Sequence, residues 1–472
     1  MEKQIKTPEE FIKEDLGIKD ATRATRTPKG DKNENITYTS YYENEKYILE
    51  QINSANHAYS ANWESKEKFI IYSKVLGTTR VINEFITENR TIRPITGDLV
   101  DQKIILLPTE VVEYESLDKL IKEIKEFLFE YFEVPVFFEN FLPFLVLFYW
   151  VYEKFPFIPY VHFMGKTGTG KTTAMDVLGS ICYKPIDASG AITMASIFRI
   201  TSLWRGTLLL DEFNPGGESY KEMISLLKSG VSNKAVLRVE GDKKKEVVAY
   251  IVKSPKIFTS ERPISEAGLR SRLIEITMNQ NKRRVPLYRQ DEFLIKAEQI
   301  RNKLLLFRFR TLSTIDLSDI EYGFPELSMF QGRVQQVITP VYFMADTESR
   351  KKILNFASEQ QNETLRERRE ALDGQLFELI YEQYKLGVHP TIKYLSDDVN
   401  KGTKYPQSER KIANLIRKVL ELNVRKMGHE NVTSVDLENS EDKIKELCEY
   451  YGIEYEKVDE AVLNAKDIFD IQ

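Results

Sequence analysis

The spacing of apolar residues changes several times along the chain, and each pattern predicts a different kind of element. Residues 1–34 are polar and predict a loosely ordered arm. The next region contains runs rich in aromatic and β-branched residues, which are typical of strands: Ile36–Tyr42, Lys68–Tyr72 and Lys103–Leu107. From Ser116, apolar residues recur at helical spacing. We therefore expect an arm, a small β-rich domain and then a helix that begins at Ser116.

The most apolar stretch of the chain runs from Val134 to Tyr152 and is close to the minimum length for crossing a membrane. It contains Glu139, Asn140 and Pro143, which are unfavourable in a lipid-facing helix. We interpret this stretch as a buried helix that packs on the domain after it. A transmembrane helix is the alternative.

Short apolar strands alternate with helices from about 155 to 280, a pattern typical of an α/β layer with a mostly parallel sheet. Residues 285 to 368 then read as helical, with few strand signals. The chain is therefore predicted to be of the α/β class. The predicted domains are the arm with the β-rich region, the α/β core with the helices before it, a helical lid, and a C-terminal domain: 1–110, 111–285, 286–368 and 369–472.

The C-terminal region shows three helical patterns and then an alternating segment, Asn423–Leu437, which predicts a hairpin. Three helices followed by a β-hairpin predict a winged helix. Basic residues lie on its third helix: Arg410, Lys411, Arg417 and Lys418. Contact with DNA and contact with a protein both remain open for this domain.

Composition limits the classes of function. The 472 residues carry a formal net charge of −5, so any nucleic-acid contact must come from local basic patches. The two cysteines, Cys182 and Cys448, lie far apart, which argues against a disulfide framework and a zinc site and favours a reducing compartment. Met1–Gln4 lacks the apolar core of a signal peptide. We expect a cytoplasmic protein with no membrane partner.

A glycine-rich segment fits GxxxxGK[ST], the phosphate-binding loop of nucleoside triphosphatases: Gly165, Lys166, Thr167, Gly168, Thr169, Gly170, Lys171 and Thr172. It lies between a predicted strand, Tyr160–Met164, and a predicted helix. Such a turn points backbone N–H groups at one anion, and the helix dipole adds to the field. Lys171 would then reach the β- and γ-phosphates of ATP, and Thr172 would ligate Mg²⁺. A chance match is the alternative.

Acidic and basic residues at the ends of later strands extend this site. The buried strand Thr207–Glu212 ends in two carboxylates, of which Asp211 would hold Mg²⁺ through a water molecule and Glu212 would polarise the attacking water. The strand Lys256–Ser260 would place small polar groups beside the γ-phosphate. Arg272 precedes another apolar strand, where an arginine requires a partner. That partner is either a phosphate on a neighbouring subunit or a surface carboxylate.

The order of these motifs, over about residues 117 to 345, resembles that of AAA+ ATPases. Within these ATPases it resembles the pre-sensor-1 β-hairpin group, which includes minichromosome-maintenance helicases, superfamily 3 helicases and helicases of phages, plasmids and mobile elements. The inserted runs Lys234–Glu240 and Glu246–Val252 are similar to the hairpin of that group. Three basic residues lie at the predicted tip: Lys243, Lys244 and Lys245. They suit DNA phosphates, with a solvated turn as the alternative.

The resemblance also implies roles for single residues. It implies that Arg272 acts as an arginine finger in trans and that Arg333 is the second sensor. The first sensor of the family is usually an asparagine, which this sequence lacks, so Ser260 or Thr259 would replace it. The resemblance thus implies an AAA+ core with a lid, an N-terminal β-rich domain and a C-terminal winged helix.

These features predict an ATP-dependent, ring-forming DNA helicase or translocase, with six subunits, for replication of a mobile element or similar replicon. Its expected partners are single-stranded or forked DNA, further copies of the chain, and a primase or other replication protein. One alternative is a DNA-bound remodelling ATPase or helicase loader that does not unwind DNA. Another is an adaptor with a degenerate nucleotide site.

Overall fold

The computed structural model describes residues 35–53, 67–188, 192–212, 217–232, 234–240, 246–427 and 432–457. The chain divides into two compact units, of which the first ends at Leu354 and the second begins at Asn355. The predicted arm and the predicted basic tip at 241–245 lie outside the described residues. The four predicted domain ranges stay predictions.

The first unit begins with two small sheets. Strands β2, β3, β4 and β5 form an antiparallel sheet in that order, and β1, β7 and β6 form a second one in which β1 and β7 are parallel. Their bounds are β1 Ile36–Tyr38, β2 Tyr41–Glu43, β3 Tyr47–Asn53, β4 Glu67–Ser73, β5 Thr79–Ile82, β6 Phe85–Ile86 and β7 Thr91–Arg93. Aromatic and aliphatic side chains from both sheets form one core. The region is therefore β-rich, as its composition predicts.

One strand prediction in this region is wrong. Lys103–Leu107 does not form a strand, and only Ile105 makes an isolated bridge, to Ile186. A short helix, α1 (Asp98–Asp101), precedes this run, and Lys103 then adopts a positive φ of 58°. That turn redirects the chain immediately before the apolar residues, so Ile105 and Leu107 are buried without a continuous ladder.

A buried ionic cluster joins β3 to the rest of the first unit. Arg308 donates to Glu50 Oε1 at 2.6 Å and to Glu153 Oε1 at 2.7 Å, and Lys184 Nζ lies 2.9 Å from Glu50 Oε2. The side chains of Glu50, Lys184 and Arg308 are at most 1% exposed. Charges this deeply buried require partners, so the cluster fixes the N-terminal strands against the later helices.

Two helices lead into the central layer, as the sequence predicts. Helix α2 (Leu117–Tyr131) begins at Ser116, whose hydroxyl accepts a hydrogen bond from the Lys119 amide. Helix α3 (Val136–Tyr149) is buried at every position from Phe141 onward. Nowhere in the described part of the chain does a helix combine the length and the apolar character needed to span a membrane.

A five-stranded parallel sheet forms the centre of the first unit, in the order β14-β8-β13-β10-β9. Helices and the remaining strands connect these five strands. The bounds in chain order are β8 Tyr160–Met164, α4 Lys171–Ser180, β9 Ile186–Asp187, α5 Met194–Trp204, β10 Leu208–Leu210, α6 Gly217–Ser229, β11 Ala235–Glu240, β12 Glu246–Ile251, β13 Lys256–Ser260, α7 Ala267–Arg270 and β14 Leu273–Thr277. Because the strands are parallel, their carboxyl ends meet at one edge of the sheet.

The remaining elements of the first unit are helical, as predicted for residues 285 to 368. They are α8 Asp291–Leu312, α9 Leu317–Tyr322, α10 Gly332–Met344 and the beginning of α11 Thr347–Glu370, which continues into the second unit.

The second unit contains the predicted order of three helices and a hairpin. These are α12 Leu372–Lys385, α13 Ile392–Val399, α14 Glu409–Lys418 and the antiparallel pair β15 Asn423–Met427 and β16 Val432–Asp436, followed by α15 Glu441–Tyr451. Thr391 bridges to Ser434, which joins the start of α13 to the hairpin. One apolar core is shared by all four helices and the hairpin.

Candidate nucleotide-binding site

The glycine-rich segment forms a turn between β8 and α4. Gly170 precedes the helix with φ of 84°, a backbone conformation that glycine adopts most readily. A Cβ atom at Gly165 would lie 2.6 Å from the Met278 carbonyl oxygen, so a side chain does not fit there. Lys171 Nζ donates to the Lys166 carbonyl at 3.0 Å, which places its ammonium group across the turn. The turn thus has the shape of an anion cradle at a helix N-terminus.

Asp211 is the centre of a hydrogen-bond network at the carboxyl edge of the sheet. Thr172 Oγ1 lies 3.0 and 3.2 Å from the two carboxylate oxygens, and Thr259 Oγ1 donates to Oδ1 at 2.6 Å. The Glu212 amide donates to Asp211 Oδ1 at 3.0 Å and to Thr259 Oγ1 at 2.9 Å. Three elements that are distant in sequence therefore meet at one carboxylate.

Glu212 differs from Asp211 in its environment. Its side chain is exposed, and its backbone adopts a positive φ of 50°. Non-glycine residues rarely adopt this conformation, which costs about 1 kcal/mol or more and is common at functional sites. The two hydrogen bonds of its amide hold it in place.

The residues around Asp211 fit a magnesium ion. Mg²⁺ prefers hard oxygen ligands, and the Thr172 hydroxyl and the Asp211 carboxylate supply such atoms within 3.2 Å of each other. These two residues would hold the ion. When bound, it would neutralise charge on the phosphate oxygens of a nucleotide.

The two predicted sensor residues lie in different surroundings. Thr259 is the one that contacts Asp211. Ser260 Oγ instead donates to the Arg262 carbonyl at 2.5 Å and lies 2.7 Å from His162 Nε2. The sequence leaves these two residues as alternatives, and the structure places the Thr259 hydroxyl, not that of Ser260, against Asp211.

Sequence reasoning missed two residues beside Ser260. His162 is fully buried, and its Nδ1 lies 2.9 Å from Glu275 Oε1. His162 lies between two apolar residues in the strand YVHFM, and Glu275 lies between two apolar residues in the strand LIEIT. That interruption was a usable signal, because buried polar side chains require partners.

Arg272 lies at the amino ends of the strands, whereas the phosphate loop follows the carboxyl end of β8. The register pairs Leu273 with Tyr160 and Thr277 with Met164, after which the loop begins. Five residue steps at about 3.3 Å each separate the Arg272 backbone from that loop edge by about 16 Å. Its guanidinium group donates to the Gly268 carbonyl.

The surroundings of Arg272 include a second cation. Burial and then the positive charge of Arg333 lower the pKa of the Arg272 guanidinium group. Arg333 itself donates to Gln336 Oε1 at 2.8 Å. The structure therefore brings the two predicted arginines near each other.

The predicted hairpin is confirmed in its strands. β11 and β12 are antiparallel, with Ala235 opposite Ile251 and Glu240 opposite Glu246. One face packs on α5, where Arg238 lies 4.6 Å from the Phe198 ring centroid. The tip with Lys243, Lys244 and Lys245 lies outside the described residues.

The second unit presents the predicted basic helix face. All four basic residues of α14 are exposed: Arg410, Lys411, Arg417 and Lys418.

Three potential metal ligands lie close together near β16: His389, Asp436 and Glu438. Arg425 pairs with both carboxylates, at 2.9 and 3.0 Å, and the Leu437 amide donates to His389 Nδ1. The protein itself thus occupies much of the bonding capacity of this group.

No family model and no curated protein matches this chain. Among solved structures, the A form apo structure of the NrS-1 C-terminal region is 15% identical, with a TM-score of 0.36 over 78% of this chain and 93% of that one. An active helicase, SCCmec type IV Cch, is 13% identical, with a TM-score of 0.37 over 80% and 92%. The JCV helicase is 12% identical, with a TM-score of 0.23 over 48% and 60%. Likenesses this weak show no function for this chain.

Proposed function

We propose that this chain is an ATP-hydrolysing DNA helicase or translocase that acts as a ring. The observation that carries the proposal is the meeting of Thr172, Asp211, Thr259 and Glu212 at the same sheet edge as the phosphate loop. A cradle for phosphates, a magnesium site and an exposed carboxylate are the parts that phosphoryl transfer to water requires.

Each of these residues has a distinct task in the proposed reaction. Backbone amides of residues 165 to 172 and the Lys171 ammonium bind the β- and γ-phosphates. Thr172 and Asp211 hold Mg²⁺. Glu212 accepts a hydrogen bond from the attacking water and orients it towards the γ-phosphorus, while Thr259 keeps Asp211 and the Glu212 amide in place.

Lys171 supplies one cation at the carboxyl edge of the sheet, and in the proposed reaction the Arg272 guanidinium group supplies a second to offset transition-state charge. Because Arg272 lies about 16 Å from that edge of its own sheet, a neighbouring copy must supply the guanidinium group. Arg333 lies near Arg272 and would face the same neighbouring nucleotide. This arrangement supports a closed ring with heterologous contacts, for which we propose six subunits.

The hairpin supplies the proposed link to DNA. Its strands connect the end of α6 to the start of β13, whose other end carries Thr259. Lys243, Lys244 and Lys245 would bind backbone phosphates of single-stranded or forked DNA. Replication of a mobile element, with a primase or other replication protein as partner, in the cytoplasm, is the proposed setting.

ATP turnover of Glu212→Gln tests the hydrolytic site. This variant is expected to bind ATP with unchanged affinity and to lose at least about 100-fold in kcat. Glu126→Gln on the exposed face of α2 is the matched control and should turn over ATP like the wild type. Equal and negligible turnover of wild type and Glu212→Gln would instead support the adaptor.

Mixing two inactive variants tests the shared site. Glu212→Gln lacks the carboxylate and Arg272→Ala lacks the guanidinium group, and each alone should be inactive. A mixture forms some interfaces with both groups intact, so part of the ATP turnover should return. No recovery in the mixture would contradict a site shared between copies.

Strand displacement on forked DNA separates the helicase from the loader. Replacing Lys243, Lys244 and Lys245 together by Ala should abolish unwinding and leave DNA-independent ATP turnover within about two-fold. Unwinding that persists in this variant would refute the role of the hairpin tip. A wild type that hydrolyses ATP without unwinding DNA would favour the remodelling ATPase or loader.

A further inference from the structure

Three polar side chains on adjacent strands form a continuous hydrogen-bonded chain beneath the phosphate loop. Ser260 on β13 lies 2.7 Å from His162 Nε2 on β8, and His162 Nδ1 lies 2.9 Å from Glu275 Oε1 on β14. The imidazole is fully buried and stacks on Phe258, with ring centroids 4.9 Å apart. Glu275 retains 29% exposure, so the chain runs from the edge of solvent into the sheet.

The number of hydrogen atoms on these groups determines which atom donates and which accepts in each contact. The Ser260 hydroxyl has one hydrogen, and it donates that hydrogen to the Arg262 carbonyl at 2.5 Å. Ser260 Oγ must then accept from His162, so Nε2 carries a proton. A neutral imidazole has no second proton for Nδ1. An ionised Glu275 cannot donate one either, so the pair His162–Glu275 must hold one additional proton. Imidazole is more basic than a carboxylate, so that proton is assigned to His162.

This chain acts on the phosphate loop through the backbone of Ser260. The Ser260 carbonyl accepts a hydrogen bond from the Gly165 amide, the first residue of the loop, at 3.2 Å. The preceding residue, Thr259, holds Asp211. The orientation of Ser260 therefore affects both the start of the loop and the magnesium ligand.

We propose that Glu275, His162 and Ser260 form a positioning relay for the nucleotide site, in which His162 is an imidazolium that donates from both ring nitrogens. The relay holds Ser260 and the turn to Arg262 against the loop and touches no nucleotide atom. Its catalytic effect rests on the proposed ATP hydrolysis. Its protonation state does not, because it follows from the hydrogen bonds and from the greater basicity of imidazole over a carboxylate.

NMR of protein labelled with ¹⁵N in histidine reads the protonation state directly. The His162 signals, identified by their loss in His162→Gln, should show two protonated ring nitrogens at pH 7.5. Glu275→Gln is the matched variant, because its amide can donate to Nδ1 and so removes the need for the additional proton. In Glu275→Gln, His162 should carry a proton on Nε2 only. A wild-type His162 with one bare ring nitrogen would overturn the relay.

Measurement of kcat for ATP distinguishes a positioning role of His162 from a role in packing alone. His162→Ala removes the donor to Ser260 and should lower kcat for ATP about ten-fold or more. Glu275→Gln keeps that donor and should stay within about three-fold of the wild type. Wild-type kcat in folded His162→Ala would refute the positioning role. If His162→Ala does not fold, a ten-fold loss of kcat in the isosteric Glu275→Gln would refute the assigned proton arrangement.

The two proposals fail in different ways. A wild type without ATP turnover would refute the proposed function, and the ¹⁵N spectrum would still decide the state of His162. A bare ring nitrogen in an active wild type would refute the relay and leave the hydrolytic site intact.

Discussion

Lys256 provides a quantitative test of the packing at the base of the hairpin. Its ammonium group is fully buried and donates to the Val252 and Ser254 carbonyls at 3.0 and 2.9 Å. It also lies 4.8 Å from the ring centroid of Tyr160. Burial lowers the pKa of Lys256 from 10.5 to about 7. Replacement by Met keeps the length of the side chain and removes the titrating group.

The size of the effect follows from that pKa. Below about pH 7, the ammonium is charged in both the folded and the unfolded chain, and folding must desolvate it. Between about 7 and 10.5, the unfolded chain retains a proton that the folded chain releases, so the free energy of unfolding rises with pH. The slope is about 1.4 kcal/mol per pH unit and the total is at most about 5 kcal/mol. The hydrogen bonds to the Val252 and Ser254 carbonyls reduce this total, because they stabilise the charged form of Lys256 in the folded chain.

Urea unfolding at pH 6, 7.5 and 9 measures this slope. Trp150 and Trp204 are buried in the first unit, so tryptophan fluorescence follows its unfolding. Lys256→Met should be more stable than the wild type at pH 6. Above pH 7, the free energy of unfolding of the wild type should rise relative to that of Lys256→Met by about 1 kcal/mol or more per pH unit. The exposed Lys122→Met controls for loss of one surface charge. Parallel pH dependence of wild type and Lys256→Met would refute the reasoning.

Three further substitutions test other parts of the structure. Glu50→Ala leaves the two cations of the buried ionic cluster with one carboxylate, and the free energy of unfolding in urea should fall by about 3 to 5 kcal/mol. Thr259→Val removes the hydroxyl that joins Asp211 to the Glu212 amide. Turnover assays should therefore show kcat for ATP about ten-fold lower, and binding assays should show little change in ATP affinity. Gly165→Ala places a methyl group 2.6 Å from the Met278 carbonyl oxygen, and titration with a fluorescent ATP analogue should show at least about ten-fold weaker binding. An unchanged free energy of unfolding, kcat or ATP affinity in the respective variant would contradict the role given to that contact.

Local patterns predicted the elements that local interactions determine. The cap at Ser116 and the loop before Lys171 are sequence-adjacent signals, and the structure contains both. The prediction of a strand at Lys103–Leu107 is wrong because the composition of this run suits a strand, whereas the turn before it redirects the chain. Strand composition reports burial as much as pairing, so it cannot identify a partner strand.

Contacts between distant residues were the part that sequence could not supply. The sequence favours Asp211 and Thr259 as site residues separately, but their 2.6 Å hydrogen bond depends on the order of strands in the sheet. His162 and Glu275 are 113 positions apart and become neighbours only because β14 lies beside β8. Their residue types were visible in the sequence, and their partnership was not.

The buried cluster around Glu50 has a practical consequence for work with shortened chains. A chain that begins at residue 111 would retain Lys184 and Arg308 and lose the carboxylate that contacts both. Arg308 would keep Glu153, but Lys184 would lose its paired carboxylate in an apolar setting. Such a fragment would misfold or aggregate even though every nucleotide-site residue is present. Inactivity of that fragment would therefore report lost folding, and the N-terminal strands belong to the folded unit that carries the proposed nucleotide site.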